Sequence, residues 1–189
     1  MTTEYRLMQP DELEQILDLW MDVYPDTDRE RWRAELLSIP ESLAHTYVAA
    51  ENGRVPSTAL LWIREMNDSA GIPRRLGNVS HVATHPEHRG RGHAKKLLEL
   101  VIHVMEQERC ALSTLFTSEE ARPLYEKLGW QTCPLTLWQG MLAKMKLPES
   151  ARYSIRLAQL SEEPKLWEAL ADIYAEFNES RPLAIRVTN

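Results

Sequence analysis

The sequence has few cysteines and no long apolar run. Its 189 residues include two cysteines, Cys110 and Cys133, which are too few for a disulfide framework and lack the paired spacing of a zinc site. We therefore expect both thiols to be reduced. No apolar run approaches the roughly 18 residues that a membrane helix needs, and residues 1–15 lack the basic-then-apolar layout of a secretory signal. These absences predict a cytoplasmic protein with no membrane partner.

The chain also lacks an excess of positive charge. It has 22 Lys and Arg against 28 Asp and Glu, for a net charge of −6. A protein that binds nucleic acid by general electrostatics needs a basic excess over its binding face, so no nucleic-acid partner is expected. Any anion site must be local. The apolar fraction of 43% and the charged fraction of 26% are ordinary globular values and exclude a strongly biased disordered chain.

Helical and strand-like patterns alternate along the chain. Four helices are predicted, after Pro10, after a cap at Thr27 or Asp28, from Ala94, and after a capping box at Thr117–Glu120. A polar loop is predicted at Asn67–Arg75. The predicted strands are Tyr5–Met8, Thr46–Ala50, Thr58–Ile63, Val79–Thr84, Leu112–Phe116, a short strand around Gln131, and Leu137–Met145. This order predicts an α/β fold whose mixed, mostly antiparallel sheet is flanked by helices on both faces.

We expect one domain over residues 1–147 and a strand–helix extension over residues 148–189. The strand Tyr153–Leu157 and the helix Pro164–Phe177 weakly repeat the strand and helix that begin the chain. The extension is therefore either the start of a second similar unit, an element that packs on the first domain, or a dimerisation element. Five apolar residues of its helix should be buried on the domain or on another subunit, namely Trp167, Leu170, Ile173, Tyr174 and Phe177.

A glycine-rich basic turn lies between the strand that ends at Thr84 and the helix that follows. Gly90 and Gly92 are two of only seven glycines in the chain, and four basic residues lie beside them. Glycine allows a close approach of the backbone to a ligand, and the helix N-terminus adds its positive dipole, so the turn suits a phosphate or pyrophosphate. A solvated basic turn is the alternative, although cations at a helix N-terminus are unfavourable without a ligand. A Walker loop is excluded because no Gly-Lys-Ser/Thr follows the turn. A dinucleotide fingerprint is excluded because Lys95 replaces its third glycine.

Two motifs resemble the GNAT superfamily of acetyl-CoA-dependent N-acetyltransferases. Residues 89–94, with the sequence RGRGHA, match the family's Arg/Gln-x-x-Gly-x-Gly/Ala signature between the fourth strand and the third helix. Residues 118–130 are similar to its Asn-x-x-Ala-x-x-Leu-Tyr-x-x-x-Gly-Phe/Tyr segment, with Ser118 in place of Asn. The resemblance covers roughly residues 4–145 and implies a GNAT fold and acetyl transfer to an amine.

The resemblance also implies a set of site residues for acetyl-CoA as cosubstrate. The backbone at Val82, Ala83 and Thr84 would pair with the pantetheine arm, and Ser118 and Tyr125 would line the thioester end. The pyrophosphate would lie on the side chain of Arg89 and on the basic glycine turn that follows it, at Gly90, Arg91, Gly92, His93, Ala94 and Lys95.

Catalysis is expected to rest on Tyr125 and on the strand before the glycine turn. The Tyr125 hydroxyl would protonate or stabilise the departing thiolate; without the motif, Tyr125 would be read as a core aromatic. Ser80 and Asn78 occupy the positions where the family often has a base, and neither is a base at neutral pH, so a water relay near Ser80 is expected. His81 would face the other side of a regular strand unless a bulge rotates it.

The acceptor is expected to be a small-molecule or protein amine, attacked directly in a ternary complex. One of Trp20, Tyr24 and Trp32 could border its pocket, and the sequence does not select among them. No metal is expected, because Arg89 and Arg91 lie among the histidines of the turn. The alternative function is a non-catalytic acyl-CoA-binding or interaction module, and a homodimer is a possible assembly.

Overall fold

The computed structural model describes residues 2–25, 28–38, 45–133 and 163–179. Five strands form one sheet in the order β1-β2-β3-β4-β5. All neighbours are antiparallel except β4 and β5, which are parallel. The sheet is therefore mixed and mostly antiparallel, as predicted. The strands are β1 Glu4–Leu7, β2 Thr46–Glu51, β3 Arg54–Asn67, β4 Pro73–Thr84 and β5 Leu112–Leu115.

Five α-helices lie within the described ranges, and short 3₁₀ turns occur at Pro10–Glu12 and Pro86–His88. Asp28 caps the second helix by accepting hydrogen bonds from the amides of Glu30 and Arg31, which confirms one of the two predicted caps. No helix in these ranges is both long and apolar enough to span a bilayer. The helices are α1 Leu13–Val23, α2 Arg29–Ser38, α3 His93–Gln107, α4 Arg122–Glu126 and α5 Pro164–Glu179.

Helices cover both faces of the sheet, and each face has its own core. On one face, α3 and Tyr125 of α4 pack on alternate residues of β2 and β3, among them Ala49 and Leu61. On the other face, α1 and α2 pack on the residues in between, such as Val48 and Leu60. This division follows from the period of two in a strand, which sends successive side chains to opposite faces.

The hairpin of β3 and β4 is longer than predicted. The loop expected over Asn67–Arg75 contracts to a turn, because Asn67 belongs to β3 and Pro73 begins β4. Asp68 holds the turn by accepting the amides of Ala70 and Ile72 at 2.9 Å each. The polar composition of this segment predicted a loop. Instead, the two strands pair through most of it, because the Asp68 side chain stabilises a short turn between them.

A β-bulge interrupts β4 near its carboxyl end. Thr58 of β3 pairs with Ala83, whereas Leu60 pairs with Ser80, so β4 has one extra residue between these pairs. His81 lies in the bulge with φ of +46°. The extra residue breaks the alternation of faces that a regular strand would keep.

Several predictions for the C-terminal half are corrected or lie outside the described residues. The helix after the Thr117–Glu120 segment begins only at Arg122, and Gln131 is not in a strand. The strands at Leu137–Met145 and Tyr153–Leu157 lie outside the described residues. Helix α5 is present, but its five large apolar residues are 43–62% exposed in this chain. Burial of these residues against the described part of the first domain is therefore not observed, while burial on another subunit stays a prediction.

Candidate active site

Strand β4 extends well beyond the end of β5. The two strands pair only from Leu76 with Leu112 to Val79 with Leu115, whereas β4 continues to Thr84. The His85 amide donates to the Pro56 carbonyl at 2.9 Å, on the side of β3. Because amides alternate sides along a strand, the amides of Val82 and Thr84 point to the side where β5 has ended. Within the part of the chain that the structure describes, the carboxyl end of β4 thus presents an open edge to a ligand.

The glycine turn lies directly after this edge. Gly90 and Gly92 have φ of +76° and +81°, and a Cβ placed on either would meet no atom within 4 Å. The Lys96 amide donates to the Gly92 carbonyl at 3.1 Å, which is the first hydrogen bond within α3. The amides that precede Lys96 therefore have no acceptor within the helix. These free amides and the left-handed glycines form an open concavity suited to an anion.

Basic side chains surround the turn. The Arg89 Nε atom donates to the Thr84 carbonyl at 3.2 Å, which ties the guanidinium to the end of β4. Arg91 donates to the Glu87 carbonyl at 3.2 Å. Both arginines and Lys95 are exposed, whereas His93 is buried. The structure therefore brings together the residues proposed for the pyrophosphate, with His93 able to contribute only its backbone amide.

Two tyrosines lie near each other beside the open edge of β4. The Tyr24 hydroxyl, at the end of α1, donates to the Val82 carbonyl at 3.0 Å. Burial, together with a smaller electrostatic contribution from Tyr125, raises the pKa of Tyr24 to about 12. Burial also raises the pKa of Tyr125, which a hydrogen bond with Thr117 partly offsets. Both phenols are therefore protonated at neutral pH and can act as donors.

Tyr125 is held by packing as well as by this hydrogen bond. It is 7% exposed, and its ring meets that of Trp130 edge to face at 5.9 Å between centroids. Trp130 is anchored in turn by its indole N–H, which donates to the Ser113 hydroxyl at 3.2 Å. Ser118 is exposed, and its hydroxyl accepts the Ala121 amide at 3.4 Å. This hydroxyl also donates to Glu120 Oε2 at 3.3 Å, so it lies near the start of α4.

The residues considered for the base are already engaged. Asn78 donates to the Thr114 hydroxyl at 3.1 Å across the β4–β5 pair. The Ser80 hydroxyl accepts the Trp62 indole N–H at 3.2 Å and lies 3.2 Å from His81 Nδ1. Ser80 can therefore orient a neighbour or a water molecule, but a hydroxyl in these contacts is no stronger a base than the sequence implied.

The bulge places His81 in an aromatic cluster. Its ring lies 4.3 Å from that of Trp20 and 5.3 Å from that of Trp32, with Tyr24 at 6.4 Å. Burial lowers the pKa of His81 to about 4, so the imidazole is neutral at physiological pH. His81 was expected to face away from the other site residues if β4 were a regular strand. The bulge interrupts the strand at this residue, so that expectation does not apply.

Sequence reasoning did not assign a role to Tyr24. It was one of three aromatic candidates, and helical spacing alone cannot select the ring that reaches β4. The local sequence shows only that Tyr24 lies at the end of α1, directly before Pro25. Its contact with Val82 depends on how α1 lies across the sheet.

Comparisons with known proteins agree with this geometry. The family model described as an acetyltransferase (GNAT) domain matches residues 4–133. A glucosamine 6-phosphate N-acetyltransferase from Trypanosoma brucei brucei is 32% identical over 79 residues, which are 42% of this chain and 52% of that protein. The chain thus spans about half the length of this curated relative.

Solved structures share the fold at low sequence identity. A Trypanosoma brucei acetyltransferase aligns with a TM-score of 0.61 and 23% identity, over 74% of this chain and 100% of its own. A glucosamine-6-phosphate N-acetyltransferase from Arabidopsis thaliana aligns with a TM-score of 0.62 and 17% identity, over 74% and 99%. A predicted acetyltransferase from Clostridium acetobutylicum, solved with acetyl-CoA, aligns with a TM-score of 0.63 and 20% identity. The alignment covers 75% of this chain and 98% of that one.

The family model covers well over half of the chain, and it includes the open edge of β4, the glycine turn and Tyr125. The mixed five-stranded sheet with helices on both faces is shared with the solved acetyltransferases. On these grounds the chain belongs to the GNAT acetyltransferase family.

Proposed function

We propose that this protein transfers an acetyl group from acetyl-CoA to a primary amine by direct attack in a ternary complex. The observation that carries the proposal is the continuity of two binding features. The open edge of β4 ends at Thr84, and the glycine turn with its free amides follows within a few residues. An extended amide-containing arm joined to a pyrophosphate fits both features at once.

The residues that would hold acetyl-CoA fit the chemistry of its parts. The amides of Val82 and Thr84 can pair with the pantetheine amides as a neighbouring strand would. The Gly90–Ala94 amides and the exposed arginines can hold the pyrophosphate, because they add positive charge where the chain overall is negative. Acetyl-CoA supplies an activated acyl carbonyl with a thiolate leaving group.

Tyr125 is proposed as the acid of the reaction. The carbon–nitrogen bond forms as the carbon–sulfur bond breaks, and the thiolate takes a proton from the Tyr125 hydroxyl. A phenol whose pKa is raised by burial still holds its proton at neutral pH, so it is ready to donate. A backbone amide of the open β4 edge can stabilise the charge that develops on the carbonyl oxygen.

Proton removal from the amine is proposed to pass through water near Ser80. His81 lies next to Ser80, but its pKa of about 4 makes it a weak base at neutral pH. The hydroxyl of Ser80 can orient a water molecule, because hydroxyls both donate and accept. The acceptor would then approach between the Ser80 side of β4 and the aromatic residues of α1 and α2.

Ligand binding tests the cofactor half of the proposal. Acetyl-CoA or CoA at about 100 times its dissociation constant should stabilise the fold by about 2.7 kcal/mol, seen as a rise in melting temperature, whereas NAD and ATP should do less. Gly92→Val should abolish the rise, because a β-branched residue at φ of +81° blocks the turn.

Gly71→Val is the matched control for this experiment. Gly71 also has a positive φ, +75°, and open space around it, but it lies in the turn at the other end of the β3–β4 hairpin. It should lower the melting temperature through backbone strain and keep the rise with CoA. A folded Gly92→Val protein that binds CoA normally would show that the assigned turn is wrong.

Release of free thiol across a panel of amines tests the transfer itself. The panel should contain polyamines, amino acids, aminoglycosides, peptides and glucosamine 6-phosphate, the last because a relative is named for it. Acetylated product and thiol should form in equal amounts with at least one amine. CoA binding without thiol release for any amine would favour the alternative function, a non-catalytic acyl-CoA-binding module.

A further inference from the structure

A second group of chemically active side chains lies behind the glycine turn. Glu51 ends β2, His88 ends the 3₁₀ turn before the glycines, and His93 is the first residue of α3. One donor atom from each lies within 4.8 Å of the other two. These three residues come from separate elements, so the fold rather than local sequence brings them together.

Two polar atoms of this cluster are buried without a hydrogen-bond partner in the described part of the chain. Glu51 Oε2 and His93 Nε2 are both buried and have no hydrogen-bond partner among the described residues. Glu51 Oε2 lies 3.8 Å from His88 Nδ1, which is beyond hydrogen-bonding distance. His93 as a whole is 5% exposed. A buried polar atom without a hydrogen-bond partner has a high free-energy cost, so a species bound in this cluster would remove an unfavourable feature of the fold.

Neighbouring side chains orient the two imidazoles. The Tyr5 hydroxyl lies 3.0 Å from His93 Nδ1, and a neutral ring that donates its Nδ1–H to Tyr5 presents a lone pair at Nε2 to the cluster. Arg91 lies 3.5 Å from His88 Nδ1, a contact in which that nitrogen can only accept, since the guanidinium has no acceptor. Each ring can therefore adopt the tautomer that binds a metal.

We propose that Glu51, His88 and His93 bind a divalent transition-metal cation such as Zn²⁺. Two imidazoles and one carboxylate are a donor set that such cations prefer, and the Tyr5–His93 contact has the form of the outer hydrogen bond that orients a metal-bound histidine. The expectation that no metal binds considered the histidines beside Arg89 and Arg91 but not Glu51, whose carboxylate supplies negative charge.

Binding requires a small contraction of the cluster. A tetrahedral cation about 2.0–2.1 Å from each ligand holds the ligand atoms about 3.4 Å apart, so separations of up to 4.8 Å must shorten by up to about 1.4 Å. The Glu51 and His88 side chains, 13% and 21% exposed, lie at the ends of turns and have room to adjust. Arg91 must leave His88; it is exposed, and its other described contact is with a backbone carbonyl.

The nearby cations set the expected strength. Arg91 and Lys96 both act electrostatically on His93, so they also repel a metal ion there. Only one carboxylate offsets this repulsion. We therefore expect one cation per chain bound in the micromolar range, weaker than in a structural zinc site with thiolate ligands.

Direct metal binding to the full chain, without a histidine tag, tests the proposal. Equilibrium dialysis against Zn²⁺ should give one ion per chain, and Co²⁺ should show visible absorption bands of a four- or five-coordinate site. Glu51→Gln and His88→Asn should each weaken binding by about 10-fold or more, and Tyr5→Phe by about 10-fold through loss of the orienting hydrogen bond. His85→Asn is the matched control, because the His85 ring lies 5.9 Å from His88 but is outside the cluster.

Each result of the metal-binding experiment supports the site or overturns it. Stoichiometric binding that depends on Glu51 and His88 and not on His85 supports the site. No stoichiometric binding of Zn²⁺ or Co²⁺ at millimolar concentration overturns it. Binding that Glu51→Gln and His88→Asn leave unchanged also overturns it, because the ion is then elsewhere. Circular dichroism of each variant checks that the fold is retained, and the two partly exposed ligands are chosen for this reason.

Discussion

Replacing Tyr125 with phenylalanine removes a single hydroxyl from the site. The ring remains, and with it the edge-to-face contact with Trp130 at 5.9 Å. What is lost is the proton donor and the hydrogen bond with Thr117. The substitution therefore separates the chemical role of Tyr125 from its role in the core.

The expected effects on rate and on stability differ in size. Loss of one neutral hydrogen bond should lower the free energy of unfolding by about 1 kcal/mol. Loss of a general acid should lower the rate constant of transfer by roughly 10²–10⁴, which is about 3–5 kcal/mol of activation free energy. A kinetic loss of this size cannot arise from the small change in stability, because the protein stays folded under assay conditions.

The assay measures kcat by thiol release with an amine that the panel identifies, and CoA affinity by the rise in melting temperature. We expect kcat to fall and CoA affinity to change little. Tyr24→Phe is the matched variant, because it removes a nearby phenol whose hydroxyl donates to the Val82 carbonyl. Its kcat should fall by less than about 10-fold, because the Tyr24 proton is already donated to a backbone carbonyl. Full activity in Tyr125→Phe, or a larger loss in Tyr24→Phe, would refute the assignment of the acid.

Three further substitutions test the surroundings of the site and the fold. Ser80→Ala should lower kcat by less than about 10-fold, because its hydroxyl orients water and does not itself take the proton; a loss as large as that of a general acid would contradict this. Glu12→Gln should lower the free energy of unfolding by about 1–3 kcal/mol at pH 7, since it removes the charge and one of the two oxygens that accept hydrogen bonds from Arg6 at 2.8 and 2.9 Å. Arg6 lowers the pKa of Glu12, so this stabilisation is present above the ordinary glutamate value of 4.5 and is lost as the pH falls below it; denaturation of both proteins across this range should show the difference shrink. Gly77→Val should destabilise the fold by about 1–3 kcal/mol, because a Cβ there would lie 2.2 Å from the Met105 sulfur, and adding Met105→Ala should recover part of the loss in a urea titration.

Local patterns in the sequence were sufficient for the order of elements and for the glycine turn. Helical spacing, an Asp cap and the alternation of strands act over a few residues, so they are readable without tertiary contacts. The left-handed glycines and the free amides of the turn are likewise local, which is why the sequence alone could indicate this turn and the family resemblance. The predicted length of the β3–β4 hairpin was wrong, because cross-strand pairing rather than composition decides where such strands end.

Contacts between distant segments were decided only by the tertiary structure. The bulge at His81 depends on how β4 pairs with β3, and a shift of one residue exchanges the faces of all the side chains beyond it. Tyr24 reaches Val82 because α1 crosses the sheet at a particular place, and Glu51 meets His88 and His93 because the end of β2 lies behind the turn. No periodicity in the sequence records these distances, since they follow from packing of whole elements rather than from the preferences of neighbouring residues.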